Sequence, residues 1–489
     1  MKKKKWLIPV LAVVLVIVIL IAVVAIKTFT FTSKQLSVSG KVSYPVNVDV
    51  AAGKLAKAIQ FKTIFDKDPG AVDYEPFSKL QGFLEESFPL VSATLEKKVI
   101  NKYGLLYIWK GSDTQKKPIL LLAHQDVVPA DQEGWKYPPF SGTVADGYVW
   151  GRGSLDDKCT LFGIMESVEY LIKDGFKPSR SVYLAFGFDE EITGQEGAGK
   201  IAEYLKAQGQ QFEYITDEGE LIISGAIPGI SAPVALIGTA EKGYLSLELS
   251  ASSEGGHASM PPRQTTVGIV AAAIDKLEKN PFPTRMAGPT GDMFDYLGPD
   301  MAMPYKMIFG NMWLLRPVVE GQLASSPATD ATLRTTIAPT MFEGSQRENV
   351  LPARAAAVVN LRLMPGDSID SVIERVKTVI NDPRVTVNIY GQGSNAASPI
   401  SGTDTWAFNT FNRTIRDVFP EALVSPALVN SASDSTRYIG LSPNILRFLP
   451  QRFDSEGLHM LHGVNEKISV SNYGEMISFY IQLIKNSDR

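Results

Sequence analysis

The run Ile119-Leu120-Leu121-Leu122 constrains the fold more than any other feature of this sequence. Four consecutive large apolar residues leave no polar face, so a strand built from them needs cover on both sides. Similar strand patterns occur at 118–124, 181–187 and 234–238. Helical patterns accompany them at 79–88, 158–173 and 196–207. This alternation predicts an α/β fold: a mostly parallel sheet with helices on both faces. The first run also ends in His124-x-Asp126, in a chain with four histidines in all.

The pattern changes near residue 241. Leu245, Leu247 and Leu249 alternate with polar residues, which describes a half-exposed strand. A helix follows over the TTVGIVAAAIDKLEK stretch, then strands at 331–338 and 353–363. Apolar residues 369, 372, 373, 376, 379 and 380 mark one face of another helix, capped by Asp367 or Ser368. RVTVNIY closes the series as a strand. The order β-α-β-β-α-β is that of a ferredoxin-like α+β domain. It reads as an insertion at 241–393, with an extra apolar segment at 281–330. The larger domain then comprises 51–240 and 394–489, and 489 residues exceed what one ordinary core holds.

The amino terminus differs from the rest. Lys2 to Lys5 are consecutive lysines, and Trp6 to Ile26 carry no charge. About 21 helical residues span roughly 30 Å, the thickness of a bilayer core. Residues 1–30 are therefore expected to be an uncleaved transmembrane signal-anchor, and 31–50 a polar stalk. The lysines place the amino terminus in the cytoplasm and the rest of the chain in the extracytoplasmic space. A net charge of −4 and a pI near 5.8 argue against nucleic acid as a partner. The single cysteine, Cys159, excludes an intramolecular disulfide.

Acidic and histidine residues gather just past the expected strands: His124 and Asp126; Asp156 and Asp157 in GRGSLDDK; Asp189, Glu190 and Glu191 in FGFDEEITG; Asp217 and Glu218 in YITDEGE. His462 lies in MLHGVNE near the carboxyl terminus. Sites in open α/β sheets form at the carboxyl ends of strands. Carboxylates packed together repel unless a cation neutralises them, and imidazole with carboxylate suits zinc and related ions. Taken singly, each motif also describes a solvated turn.

Together these stretches resemble the M20 family of metallopeptidases, in the carboxypeptidase S and PM20D1-like branch. AHQDVVP, WKYPPFSGTVADGYVWGRGSLDDK, FGFDEEITGQEGA, GGHASMPP, LRTTIAPTMFEG, ENVLPARAAAVVNLRLMPGDS and LHGVNE carry the likeness, in the family's order over 120–466. The resemblance implies a metal-dependent hydrolase that cleaves an amide beside a free carboxylate. It further implies two divalent metals per chain, usually zinc. His124, Asp156 and Asp217 would hold one, and Asp156, Glu191 and His462 the other, with Asp156 bridging. Asp126 would orient His124, and Glu190 would be the general base.

In the inserted domain, the resemblance makes His257 an oxyanion stabiliser, donated across the domain interface or from the partner of a homodimer formed through this lid. Asn349 and Arg362 would bind the substrate carboxylate. Read without the resemblance, His257 is a loop histidine and Arg362 a structural ion-pair partner. Relatives carry Asp-Ser/Thr-Arg where this chain has Asp434-Ser435-Thr436-Arg437, which displaces the arginine by one position. His459 reads as a neighbour of the site. Two reactions fit the branch: carboxypeptidase action on short peptides, or hydrolysis and synthesis of N-acyl amino acids. A binding protein that kept the fold without catalysis is the third reading.

Overall fold

The computed structural model describes residues 7–38, 40–66, 68, 70–391, 393–454 and 457–489. Lys2–Lys5 and Trp6 lie outside the described residues.

Ile119–His124 is a strand, and all six of its residues are buried. Its side chains divide between two cores, as period-2 alternation requires. Ile119 and Leu121 join the larger core, with Leu161 and Ile164 of helix Lys158–Lys173 and Ile477 and Ile481 of helix Val470–Ser487. Leu120 and Leu122 join the opposite core, with Ile201 and Leu205 of helix Lys200–Ala207. Each such side chain contributes about 1.5–3 kcal/mol on burial. The strand is therefore held from both faces, as its sequence demands.

The main sheet has eight strands, in the spatial order Glu96–Ile100, Gly104–Trp109, Val182–Gly187, Ile119–His124, Tyr214–Ile223, Ile445–Phe453, Val234–Glu241, Leu423–Val429. The central four run parallel, so their carboxyl ends share one edge of the sheet. The sheet as a whole is mixed, where the alternation predicts a mostly parallel one. Glu96–Ile100 and Gly104–Trp109 form an antiparallel hairpin, and Val234–Glu241 runs antiparallel to Tyr214–Ile223. The hairpin turns through Asn101 and Lys102, both at positive φ. A short turn can join antiparallel neighbours only, whereas parallel neighbours need a crossover.

Residues 243–389 contain a second sheet, ordered Thr336–Glu343, Arg354–Leu363, Gly243–Ser252, Thr386–Ile389, with every pairing antiparallel. Helices Thr266–Lys279 and Ile369–Ile380 close a core with it through Ala273, Leu277, Val372 and Val376. Ser368 caps the second helix, accepting from the Ser371 amide at 3.1 Å. The chain leaves the main sheet at Glu241 and returns beside its own exit: Tyr244 pairs with Asn395, and the Ser398 amide donates to the Glu241 carbonyl. A Cβ on Gly243 would lie 2.5 Å from the Ala397 nitrogen, so this close approach requires glycine.

Two segments behave differently from their sequence reading. Within 281–330, helices Pro289–Leu297, Tyr305–Gly310, Met312–Leu323 and Pro327–Asp330 form. Leu297 and Met301 pack on Val234, Leu236 and Ala427 of the main sheet, so this segment covers that sheet's edge. The segment read as a stalk touches the body at Gln35 and Val42. Gln35 exchanges two hydrogen bonds with Val424, and the Val42 amide donates to the Asp417 carbonyl. Helix Val48–Ile59 then enters the main core through Ala51, Ala52 and Leu55.

Candidate metal centre

The shared carboxyl edge of the central strands carries the acidic cluster. His124 ends its strand opposite Gly187, so the turn after Gly187 delivers Asp189, Glu190 and Glu191 beside it. Asp126 fixes that turn: its carboxylate accepts from the amides of Glu190 (3.2 Å) and Glu191 (3.0 Å) and lies 3.3 Å from the His124 Nδ1. The ring's other nitrogen is thereby aimed into the cluster. Asp157 accepts from the His124 amide, and its peptide bond with Asp156 is cis.

Asp156 stands between two groups of potential ligands. Its Oδ1 is 2.9 Å from His124 Nε2, and its Oδ2 is 3.1 Å from His462 Nε2. His462 Nε2 is also 3.1 Å from Glu191 Oε2, and His124 Nε2 is 3.8 Å from Glu218 Oε1. Within each of the triads His124–Asp156–Glu218 and Asp156–Glu191–His462, the ligand atoms lie within 4.8 Å of one another. A cavity of about 250 Å³ opens on them, lined by Asp156, Glu190, Glu191, Glu218, Leu461 and His462 among others.

The sequence reading put Asp217 in the first triad; the structure brings its neighbour Glu218 there. Asp217 accepts instead from the Ser435 amide at 2.6 Å. The pairing with Ile445–Phe453 slips here, Asp217 standing opposite Arg447 and Glu220 opposite Phe448, and at this irregularity Glu218 is turned into the triad.

Glu466 is a second residue the sequence reading left out. Its buried carboxylate accepts from the amides of Gly153, Leu155 and Asp156 and from Arg152, whose other amino group donates to the Gly463 carbonyl. One side chain thus ties the Asp156 loop to the loop of His462. His462 itself has left-handed backbone, φ 56°. Behind the cluster, Glu241 and Arg447 form a fully buried ion pair at 2.9 Å, and Glu241 also accepts from Ser433, two residues from the amide that holds Asp217.

The charges are unbalanced without a cation. Burial pushes the Glu190 and Glu218 carboxyls well above the usual range and raises Glu191, and neighbouring carboxylates add to the effect. Burial also works against Asp156, yet hydrogen bonds from His124 and His462 hold it below that range. Hydrogen bonds to Asp156 and Glu191 push His462 up to about 10. Glu191 Oε1 is buried with no hydrogen-bond partner. Nitrogen and carboxylate oxygen donors in adjoining triads, one oxygen unpaired, fit divalent ions such as zinc.

The remaining candidates lie elsewhere. His257 is exposed on a two-stranded ribbon, Gly256–His257 against Val350–Leu351, with Nδ1 2.8 Å from Ser259 Oγ. Asn349 is exposed beside it, its carbonyl accepting from the Ala258 amide. Arg362 lies where the chain passes between the two sheets, its guanidinium 5.1 Å over the Tyr244 ring and its Nη1 buried without a hydrogen-bond partner. Arg437 donates to the Thr193 carbonyl, holding the turn after Glu191. His459 is exposed on the 3₁₀ turn Gly457–His459.

Comparison with known proteins identifies the family. The sequence profile of the peptidase family M20/M25/M40 matches residues 120–486. The chain is 41% identical over 475 residues to a probable carboxypeptidase S-like 2 of Dictyostelium discoideum, covering 94% of this chain and 91% of that one. It is 42% identical over 410 residues to the N-fatty-acyl-amino acid synthase/hydrolase PM20D1 of Xenopus tropicalis, covering 83% and 80%. The M20 metallo-carboxypeptidase Sso-CP2 of Sulfolobus solfataricus shares the fold, with a TM-score of 0.65 at 17% identity over 90% of this chain and 99% of that one. The chain belongs to the M20/M25/M40 peptidase family, as a metal-dependent, carboxypeptidase-like hydrolase.

Proposed function

We propose that the chain is a two-metal carboxypeptidase for short peptides, anchored in a membrane by its amino-terminal helix. The Asp156 carboxylate shared by two ligand triads carries the reading. His124, Asp156 and Glu218 would hold one ion, and Asp156, Glu191 and His462 the other, with zinc the natural choice for this donor set. Glu218 takes the place first assigned to Asp217. Bound there, the ions supply Lewis-acid polarisation of the scissile carbonyl and of the attacking water. Glu190 lines the cavity without being counted in either triad, which leaves it to take the water's proton and pass it to the leaving nitrogen. Asp126 keeps the His124 ring oriented throughout. Arg362, with an unpartnered donor, suits bidentate binding of a substrate carboxylate; Asn349 lies at the other end of the small sheet, beside His257, and would share that role only from across a closed interface or from a partner chain.

The likeness to PM20D1 favours a second reading, hydrolysis or synthesis of N-acyl amino acids. Turnover of a dipeptide against that of a fatty-acyl amino acid decides between them. Preference for the dipeptide supports the first reading, and rejection of every dipeptide overturns it.

The ligand assignment has its own test. Glu218→Gln is expected to lower bound metal by one ion per chain, measured by elemental analysis, while Asp217→Asn retains both. The opposite pattern would return Asp217 to the ligand set.

His257 and Asn349 act in this reading from across a closed domain interface, or from the partner of a homodimer formed through the small domain. His257 then stabilises the oxyanion, and such a donor is worth roughly 10²–10³ in kcat. His257→Ala should lose that factor with metal content unchanged; normal kcat leaves His257 a loop residue.

Helix Leu7–Thr30 is long and apolar enough to cross a bilayer. The proposed orientation puts the amino terminus in the cytoplasm. Protease added to intact cells is expected to digest the catalytic domain, and protection of that domain reverses the orientation.

A further inference from the structure

Helix Leu7–Thr30 does not stand apart from the body. Its last turns pack against the helical segment that covers the main sheet's edge. The Asn311 amide, on a fully buried side chain, donates to the Val24 carbonyl at 3.2 Å and to the Thr28 hydroxyl at 3.0 Å. Gly298 and Gly310 admit Phe31: a Cβ on Gly298 would meet its ring at 2.7 Å, and one on Gly310 at 3.4 Å.

The position of this contact along the helix matters. The uncharged run ends at Ile26, so Val24 is two residues inside it. At 1.5 Å per residue, Asn311 therefore meets the helix about 3 Å within its apolar length. If that length crosses a bilayer, the residues around Asn311 lie at the depth where the apolar core gives way to headgroups.

Those residues are apolar and uncovered. Helix Met312–Leu323 exposes Trp313, Leu314 and Val318 at 52%, 41% and 70%, on one side of the helix together with Pro317. Met303 and Met307 extend the patch at 57% and 39%. The Trp313 indole donates to Asn311 Oδ1 at 3.2 Å, so the patch is continuous with the anchor contact. Tryptophan favours this depth, and an apolar helix face set beside basic residues, here Lys306 and Arg316, describes a segment lying in the bilayer surface.

We infer that the face formed by Met303, Met307, Trp313, Leu314 and Val318 seats the catalytic body in the outer leaflet of the membrane that the amino-terminal helix spans. The occupant is lipid, because the patch begins where the apolar helix leaves the bilayer. The inference rests on the anchor reading. It adds that the enzyme lies against the membrane and does not swing on a tether, which the bonds of Gln35 to Val424 and of Val42 to Asp417 also support.

The test uses the full chain in phosphatidylcholine vesicles. Cys159 is buried, so a spin label can be placed on Val318→Cys, with Met341→Cys on the exposed small-domain strand as the comparison. Flotation of the vesicles comes first, and a chain that stays behind overturns the anchor and the seat together. In floated chains, relaxation of the label at 318 is expected to respond to dissolved oxygen and only weakly to a water-soluble nickel chelate. The label at 341 should show the reverse, with a several-fold difference in the ratio. Equal nickel access at both positions in floated chains overturns the seat and leaves the anchor standing. Leu314→Cys repeats the measurement should the first variant fold poorly.

Discussion

Asp156→Asn is expected to release metal from both ligand triads and reduce turnover to background. Asp156 is the residue common to the two groups: Oδ1 faces His124 and Oδ2 faces His462. Asparagine keeps the shape but offers one neutral oxygen in place of two charged ones. It also removes the negative charge that opposes cation repulsion at close range. Elemental analysis after gel filtration reads the effect, with folding checked by circular dichroism. A folded variant that retains both ions and normal turnover refutes the shared-carboxylate centre.

Glu190→Gln is expected to lower kcat by about 10²–10⁴, the usual worth of a general base, and to leave metal content unchanged. The side chain lines the cavity beside Asp156, Glu191 and Glu218 but is absent from both triads. Its backbone amide is held by Asp126, so the substitution alters the proton acceptor without loosening the turn. Turnover and metal content must be measured on the same preparation. Near-normal turnover removes Glu190 from the chemistry, whereas loss of metal makes it a ligand.

The sequence carried much of the site because strand ends are local features. An all-apolar strand must be buried, and the residue where it stops must be at the carboxyl edge, so His124 and the turn of Glu190 and Glu191 could each be put at a strand end without coordinates, and the family resemblance joined them into one expected site. The helix cap was equally local, read as Asp367 or Ser368 and found at Ser368. The choice between Asp217 and Glu218 was not, because it depends on which face of the strand the turn at Asp434–Tyr438 occupies. Glu466 escaped notice for a similar reason: its partners at Arg152–Asp156 are about three hundred residues away in sequence.

What the sequence by itself determined is the α/β class, the β-α-β-β-α-β order of elements between 243 and 389, and the placing of acidic residues and His124 just past strands. Each follows from hydrophobic period and from polar residues at the points where that period breaks. Only the tertiary structure decided that the sheet's edge is an antiparallel hairpin, that the 281–330 segment covers the main sheet, and that Gln35 and Val42 are bound to the body. These are contacts between segments distant in the chain, and their energies come from surfaces that exist only once the parts have packed. A period in one strand states that a face will be buried; the partner that buries it is chosen by the rest of the molecule.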